Sequence, residues 1–309
     1  VPTTANGKPW HQLDLLEVEL TGPATKAVQT ALTSGLNRLL KFDPNARLGT
    51  ASAIHGMRTS TRRLRSTLRS FSRLIKPEWA RPVEGELKWL AQVLGTVRDL
   101  DVLHARFSEA APHARKRLAP LFQAIEMERE QAQENLNETL AGDRYQRLID
   151  RLKFAAEFPA MREDAKIRRK SDLARLMLKP WKSLKKAGRA LELNDHAEAF
   201  HEVRKRAKRV RYTAEDLAEV LGGWRVKEAG RFAKEATRIQ RTLGEHQDAI
   251  IAARMLSGAV VNSPHLSSFV AAAQKLQLEQ HRHADKARKH YFKVWNKFDR
   301  KSLRRWIKD

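Results

Sequence analysis

Apolar residues recur every three to four positions along almost the whole chain, the period of an amphipathic α-helix. The clearest stretch is residues 54–75. At about 100° per residue, Ile54, Met57, Leu64, Leu68, Phe71 and Ile75 share an arc of about 100°. His55, Arg58, Arg62, Arg65 and Arg69 share a different arc of about 80°. One face can enter a core; the other presents a histidine and a row of arginines. Helix breakers divide the rest of the chain. Pro23 opens a helix to about residue 42, and Asp43-Pro44-Asn45 reads as a turn. Further helices are expected over about 50–75, 77–108, 112–140, 145–158, 171–191, 195–221, 225–257 and 264–292, with a polar connection over 159–170. Residues 15–20, LLEVEL, alternate weakly and suggest a short strand, within a segment 1–22 that reads as a linker or remnant of a preceding segment. Residues 293–309 read as a basic tail, with Trp295 and Trp306 as packing anchors. Gly95 falls inside a helix, where it costs about 1 kcal/mol relative to Ala, and a close helix crossing would explain it. The expected fold class is all-α, with the short connections of antiparallel bundles.

The basic helix occurs twice. His201, Arg204, Lys208 and Arg211 repeat the spacing of His55, Arg58, Arg62 and Arg65, beside an apolar face of Val203, Val210, Ala214, Leu217 and Leu221. Arg209 likewise repeats Arg63. The following helices repeat as well: Leu94-Gly95-Thr96-Val97-Arg98-Asp99 corresponds to Leu243-Gly244-Glu245-His246-Gln247-Asp248. Two four-helix bundles, about 23–141 and 142–292, are therefore expected to pack about a pseudo-two-fold axis, with the basic helices around a central cavity.

Charge narrows the partners. The chain carries 60 Lys and Arg against 36 Asp and Glu, a formal charge of +24, which points to an anionic partner. A hydrophobic share of 41% argues against wholesale disorder. With no cysteine, disulfide and thiolate chemistry are excluded, and a cytoplasmic location is expected. No apolar run approaches the roughly 20 residues of a membrane-spanning helix.

The two basic blocks resemble the signatures of the CHAD family, the conserved histidine α-helical domain. The first stands as His55-Gly56-Met57-Arg58-Thr59-Ser60-Thr61-Arg62-Arg63-Leu64-Arg65, the second as His201-Glu202-Val203-Arg204-Lys205-Arg206-Ala207-Lys208-Arg209-Val210-Arg211-Tyr212. The paired Leu-Gly segments match too, and the resemblance covers about residues 23–292. It implies two four-helix bundles around a basic cavity that binds inorganic polyphosphate, with no catalysis by the domain itself and with association to polyphosphate granules. Members are often fused to a triphosphate-tunnel (CYTH) domain, and LLEVEL resembles the strand that closes one. The EXEXK-type catalytic motif of such a domain is absent.

Polyphosphate is a flexible polyanion, and holding it takes many donors along a track. Arginine suits this because its planar guanidinium stays ionised and contacts phosphate oxygens in pairs. The candidate site is Arg58, Arg62, Arg65, Arg69, Arg204, Lys208 and Arg211, flanked by His55 and His201, with Arg63, Lys205 and Arg209 at its edge. Arg231, Lys234, Arg238 and Arg241 form another helical row expected to line the cavity. A phosphate beside the histidines should raise their pKa, so binding should strengthen from about pH 8 to 6. Asp99, Asp101 and Asp248 are expected to serve packing or to orient arginines. No phosphate-cradling glycine loop or Mg²⁺ carboxylate cluster is evident, so neither an enzyme nor a metal or cofactor site is expected. The alternatives are a nucleic-acid-binding helical protein and a basic scaffold for granule or membrane surfaces. Against nucleic acid, aromatic residues are only 7% and do not interleave with the basic faces.

Overall fold

A computed structural model describes residues 22–165 and 169–308. The segment proposed as a strand, residues 15–20, lies outside the described residues. Among the described residues, ten α-helices follow one another: α1 Pro23–Arg47, α2 Ala51–Ser70, α3 Pro77–Ala110, α4 Ala119–Ala141, α5 Asp143–Glu157, α6 Leu178–Ala190, α7 Ala197–Val220, α8 Trp224–Asn262, α9 Ser267–Phe298 and α10 Arg305–Lys308. Among the described residues, one isolated bridge between Ile75 and Met161 is the only strand-like pairing.

Several element boundaries differ from expectation, each for a local reason. The turn expected at Asp43-Pro44-Asn45 is helix. Arg47 pairs with Asp43 one turn back at 2.6 Å and donates to the Leu140 carbonyl at 2.7 Å. Tyr145 also donates to Asp43. These bonds hold the turn that Pro44 weakens. α1 ends instead before Gly49, whose φ of 75° is left-handed. The helix expected over 112–140 is a 3₁₀ turn, Pro112–Ala114, followed by α4, because Pro120 fits only the first turn of a helix. Pro180 likewise places the start of α6 after a 3₁₀ segment, Lys170–Met177.

Helices α1 to α5 pack together, and α6 to α9 form a second group. Its place after Gly142 puts α5 in the second bundle by sequence. It packs instead on α1, α3 and α4, burying Tyr145, Leu148, Ile149, Leu152 and Ala155. The expected basic tail is also structural. α9 continues through buried Trp295 and Phe298, and Trp306 is completely buried. The Trp306 ring lies 5.8 Å from Phe232, and Phe298 lies 5.5 Å from Trp181. The two groups meet where α2 and α1 touch α7 and where α3 touches α8, and the buried apolar residues form one continuous core.

Candidate functional site

The apolar faces of α2 and α7 enter their own bundles, so their polar edges are left to meet each other. Near the C-terminal part of α2 the seam is buried. Thr67 Oγ1 donates to Asp216 Oδ2 at 2.7 Å, and the Ser70 and Thr213 hydroxyls lie 2.6 Å apart. The pattern is reciprocal: in the internal repeat Thr67 corresponds to Thr213 and Ser70 to Asp216, so each residue contacts its partner's counterpart. Arg63 reaches across this seam to three carboxylates: Asp216 at 3.2 Å, Glu215 at 3.3 Å and Glu219 at 2.8 Å. Burial pushes the Asp216 carboxyl up to about 7, with Arg63 and the Thr67 hydrogen bond opposing.

One turn or more toward the helix N-termini, the same seam becomes cationic. Arg58 and Arg62 from α2 come within electrostatic reach of Arg204 and Lys208 from α7. Lys208 is only 8% exposed. Burial and the three arginines Arg62, Arg204 and Arg58 push its pKa down to about 6, with Asp248 opposing. Burial also lowers Arg62 and Arg204, with Arg58 adding to the effect on both. Arg58 pairs with Asp99 at 2.8 Å. Among the described residues, no side chain forms an ion pair or hydrogen bond with Arg62, Arg204 or Lys208 through their charged groups. The Nε atoms of Arg58 and Arg204 are both buried without a hydrogen-bond partner.

The two Leu-Gly segments form the floor beneath these arginines. A Cβ placed on Gly95 would lie 3.4 Å from an Arg58 terminal nitrogen, and one on Gly244 would lie 3.4 Å from the equivalent Arg204 atom. The close approach expected at Gly95 is therefore made by a guanidinium rather than by a crossing helix. Asp248 is electrostatically coupled to Arg204, while burial raises its own pKa.

The histidines stand at the N-terminal end of the row. His55 is lowered by loss of solvent, then by Arg98, Arg58 and Arg62. His201 is lowered by burial, with Lys205, Arg204 and Lys208 adding to it; its Nδ1 lies 3.0 Å from Gln247 Oε1. Both are thus held in the neutral form more firmly than a free imidazole.

A comparison with family models matches residues 30–257 to the CHAD domain. The chain belongs to the CHAD domain family. Two solved structures share the fold of this CHAD domain. PptA from Streptomyces chartreusis superposes with a TM-score of 0.72 at 19% identity, covering 88% of this chain and 98% of that one. The CHAD domain from the plant Ricinus communis gives a TM-score of 0.71 at 22% identity, covering 89% and 92%. Two Mycobacterium tuberculosis proteins, uncharacterized protein MT2285 (strain CDC 1551 / Oshkosh) and uncharacterized protein Rv2226 (strain ATCC 25618 / H37Rv), are each 31% identical to it over 245 residues. That stretch is 74% of this chain but 44% of each relative, so the match spans less than half of their length.

Within the CHAD domain, the sixteen side chains expected to bind sort into distinct groups. Arg58, Arg62, Arg204 and Lys208 converge, with His55 and His201 at their N-terminal end. Arg65, Arg69 and Arg209 form a neighbouring cluster around Glu84: Arg69 Nε donates to it at 2.6 Å, Arg65 lies 3.8 Å away, and Arg209 lies within electrostatic reach of Arg69 and Glu84. Arg63 belongs to the seam. Arg211 is engaged by Glu215 at 2.7 Å and Gln240 at 3.1 Å. Lys205 is exposed and pairs with Glu202 one turn back. Arg231, Lys234, Arg238 and Arg241 are exposed on the outer side of α8, where Arg231 and Arg238 pair with Glu228 and Glu235 of the same helix. They do not join the row on α2 and α7, because their helical period turns them away from the Gly244 face. A hollow of about 800 Å³ opens elsewhere, where residues 72–74 meet residues 162–165 and 169–176.

Arg98 escaped the sequence reasoning. The signal was present: within the repeated Leu-Gly segments, Arg98 stands where the second copy has Gln247, and both reach the histidine of their own half. Among the described residues, no group of three or more His, Asp or Glu side chains has the arrangement of a metal site. No described helix is long and apolar enough to cross a membrane.

Proposed function

We propose that this CHAD domain binds inorganic polyphosphate non-catalytically along the row Arg58, Arg62, Arg204 and Lys208, with His55, His201 and Arg98 at one end. One observation carries this reading: three part-buried or buried basic side chains from two halves of the chain, Arg62, Arg204 and Lys208, are held together and, among the described residues, form no direct ion pair, with Asp99 and Asp248 offsetting their mutual repulsion only from a distance. Taking cations out of water and crowding them costs several kcal/mol unless anions compensate. A polyanion lying between α2 and α7 would supply that compensation through charge-assisted hydrogen bonds, for which the unpartnered Nε atoms of Arg58 and Arg204 are available. The reciprocal seam and the matched Gly95–Arg58 and Gly244–Arg204 contacts support two halves related by a pseudo-two-fold axis. A basic cleft shared by both halves follows from that symmetry. Granule association is the cellular role this binding supports.

Polyphosphate is favoured over nucleic acid because the row offers charge without a stacking platform. Tyr212, the aromatic ring coupled to Arg62 and Arg204, is itself buried. The test is competition at fixed salt. Long-chain polyphosphate should displace labelled polyphosphate far better than equal phosphate equivalents of single- or double-stranded DNA; equal competition would reject the specificity. The double variant Arg62→Glu, Lys208→Glu should lose binding while keeping its helical circular dichroism, and unchanged affinity would move the site elsewhere.

A further inference from the structure

The internal repeat makes α2 and α7 equivalent through their first turns but not through their last. Arg69, Ser70 and Arg73 in the first copy correspond to Glu215, Asp216 and Glu219 in the second. Because the contacts across the pair are reciprocal, this difference falls on opposite flanks of the central cations. On one flank Arg63, Arg211 and Arg38 face Glu215, Asp216 and Glu219, with Arg38 bonded to Glu219 at 3.2 Å. Three cations meet three carboxylates there, and each arginine is paired. On the other flank, among the described residues, Arg65, Arg69 and Arg209 share one carboxylate, that of Glu84. Among the described residues this leaves two positive charges uncompensated, and it is this charge difference that separates the flanks, since buried Nε atoms without a hydrogen-bond partner occur on both, at Arg65 and Arg209 here and at Arg38 opposite. Even with Asp216 protonated, the first flank would carry one net charge against two.

We infer that the anion track is one-sided: from Arg58, Arg62, Arg204 and Lys208 it continues over Arg65, Arg69 and Arg209, and the Arg63 carboxylate network closes it on the other flank. The inference rests on the polyphosphate reading and specifies its ligand as a linear chain too long for the central cations alone. From Arg62 to Arg69 the α2 backbone rises about 10 Å, a distance that only an oligomeric or polymeric phosphate spans. The sealed flank holds the two halves in register, so the asymmetry divides the repeated motif between assembly on one side and binding on the other.

The test compares tripolyphosphate with long-chain polyphosphate on the 309-residue chain, by calorimetric titration across a salt series. Arg209→Gln should weaken long-chain binding about tenfold, the loss of one charge-assisted contact, and tripolyphosphate binding by much less. The long-chain dependence of log K on log salt should become shallower by about 0.7. Arg38→Gln removes the same charge from the closed flank and should leave both affinities within about twofold, since its contact is an internal ion pair. Glu84→Gln should tighten long-chain binding, a gain that a folding defect does not imitate. Equal losses in Arg209→Gln and Arg38→Gln, or equal losses for both ligands in Arg209→Gln, would overturn the one-sided track while leaving polyphosphate binding intact. Failure of the unmodified protein to bind either phosphate would instead overturn the functional reading on which it rests.

Discussion

Lys208 shows how much one residue can report about this site. Its repeat partner is Arg62, which stays ionised, whereas Lys208 without a ligand is pushed to about 6 and is largely neutral near pH 7.5. A bound polyanion reverses the repulsion from Arg62, Arg204 and Arg58, restores the ammonium form and so takes up a proton. His55 and His201, also lowered, act in the same direction. Affinity should therefore rise from pH 8 to 6. Calorimetry at pH 7.5 in buffers of different ionisation heat should show net proton uptake, reduced in Lys208→Arg. Affinity independent of pH in matched salt would reject the coupling. The ligand-free fold obeys separate signs. Lys208 has a folded pKa below its ordinary 10.5, so its contribution is whole above that value and is lost as pH falls toward about 6. Asp216 is raised from 3.8 to about 7, so its contribution is present below about pH 4 and is lost as pH rises through 7. Asp216→Asn should flatten the part of the melting-temperature profile between pH 4 and 7. Arg63→Gln should cost about 3 kcal/mol in urea denaturation at pH 7, because it strips a buried carboxyl of its cation; a loss near zero would show that Asp216 is satisfied without it.

At the scale of the helix, glycine distinguishes two kinds of close approach. Gly95 and Gly244 leave room for the guanidinium groups of Arg58 and Arg204, whose mobile ends can yield to a methyl group. Gly188 in α6 lies against the rigid ring of Trp295, which a Cβ would overlap, and its carbonyl accepts from Tyr291 at 3.1 Å. Gly95→Ala should thus keep or raise stability by up to about 1 kcal/mol through helix propensity, while disturbing the arginine above it. Gly188→Ala should lose about 1–3 kcal/mol through overpacking. Thermal unfolding of the two variants checks the contrast, and equal shifts would reject it. Proline shows the complementary lesson. Pro23 starts α1 and Pro180 lies in the first turn of α6, as local geometry requires, whereas Pro44 is carried inside α1 by Arg47, Asp43 and Tyr145, two of which lie a turn apart and one on another helix.

For the whole molecule, the C-terminal residues belong to the fold rather than to its periphery. Trp306 is fully buried against Phe232, so Trp306→Ala should cost about 3–5 kcal/mol. A loss below about 1 kcal/mol would show that this segment docks without stabilising the second bundle. The same large-scale view explains why a charge of +24 is not evenly available. Arg63, Arg106, Arg129 and Arg211, among others, sit in ion pairs with carboxylates, whereas among the described residues Arg62, Arg204 and Lys208 sit in none.

The helical class, the repeat and the identity of the converging cations were legible from sequence, because a 3.6-residue period fixes which side chains share a face and two copies in register seldom arise by chance. Helical period places His55, Arg58, Arg62, Arg65 and Arg69 on one arc of α2, but it does not say what stands opposite. That depends on the neighbouring helix, so Arg63 became a clasp on three carboxylates of α7 while its repeat mate Arg209 remained beside other arginines. Arg231, Lys234, Arg238 and Arg241 had an equally regular spacing, yet α8 packs with that face outward. The membership of α5, the burial of Trp306 and the continuation of helix through Pro44 were likewise decided by partners distant in sequence or by side-chain bonds that no period encodes. The chain thus specified its two basic faces locally, and tertiary packing determined which of their charges were paired with carboxylates and which were left without an ion pair.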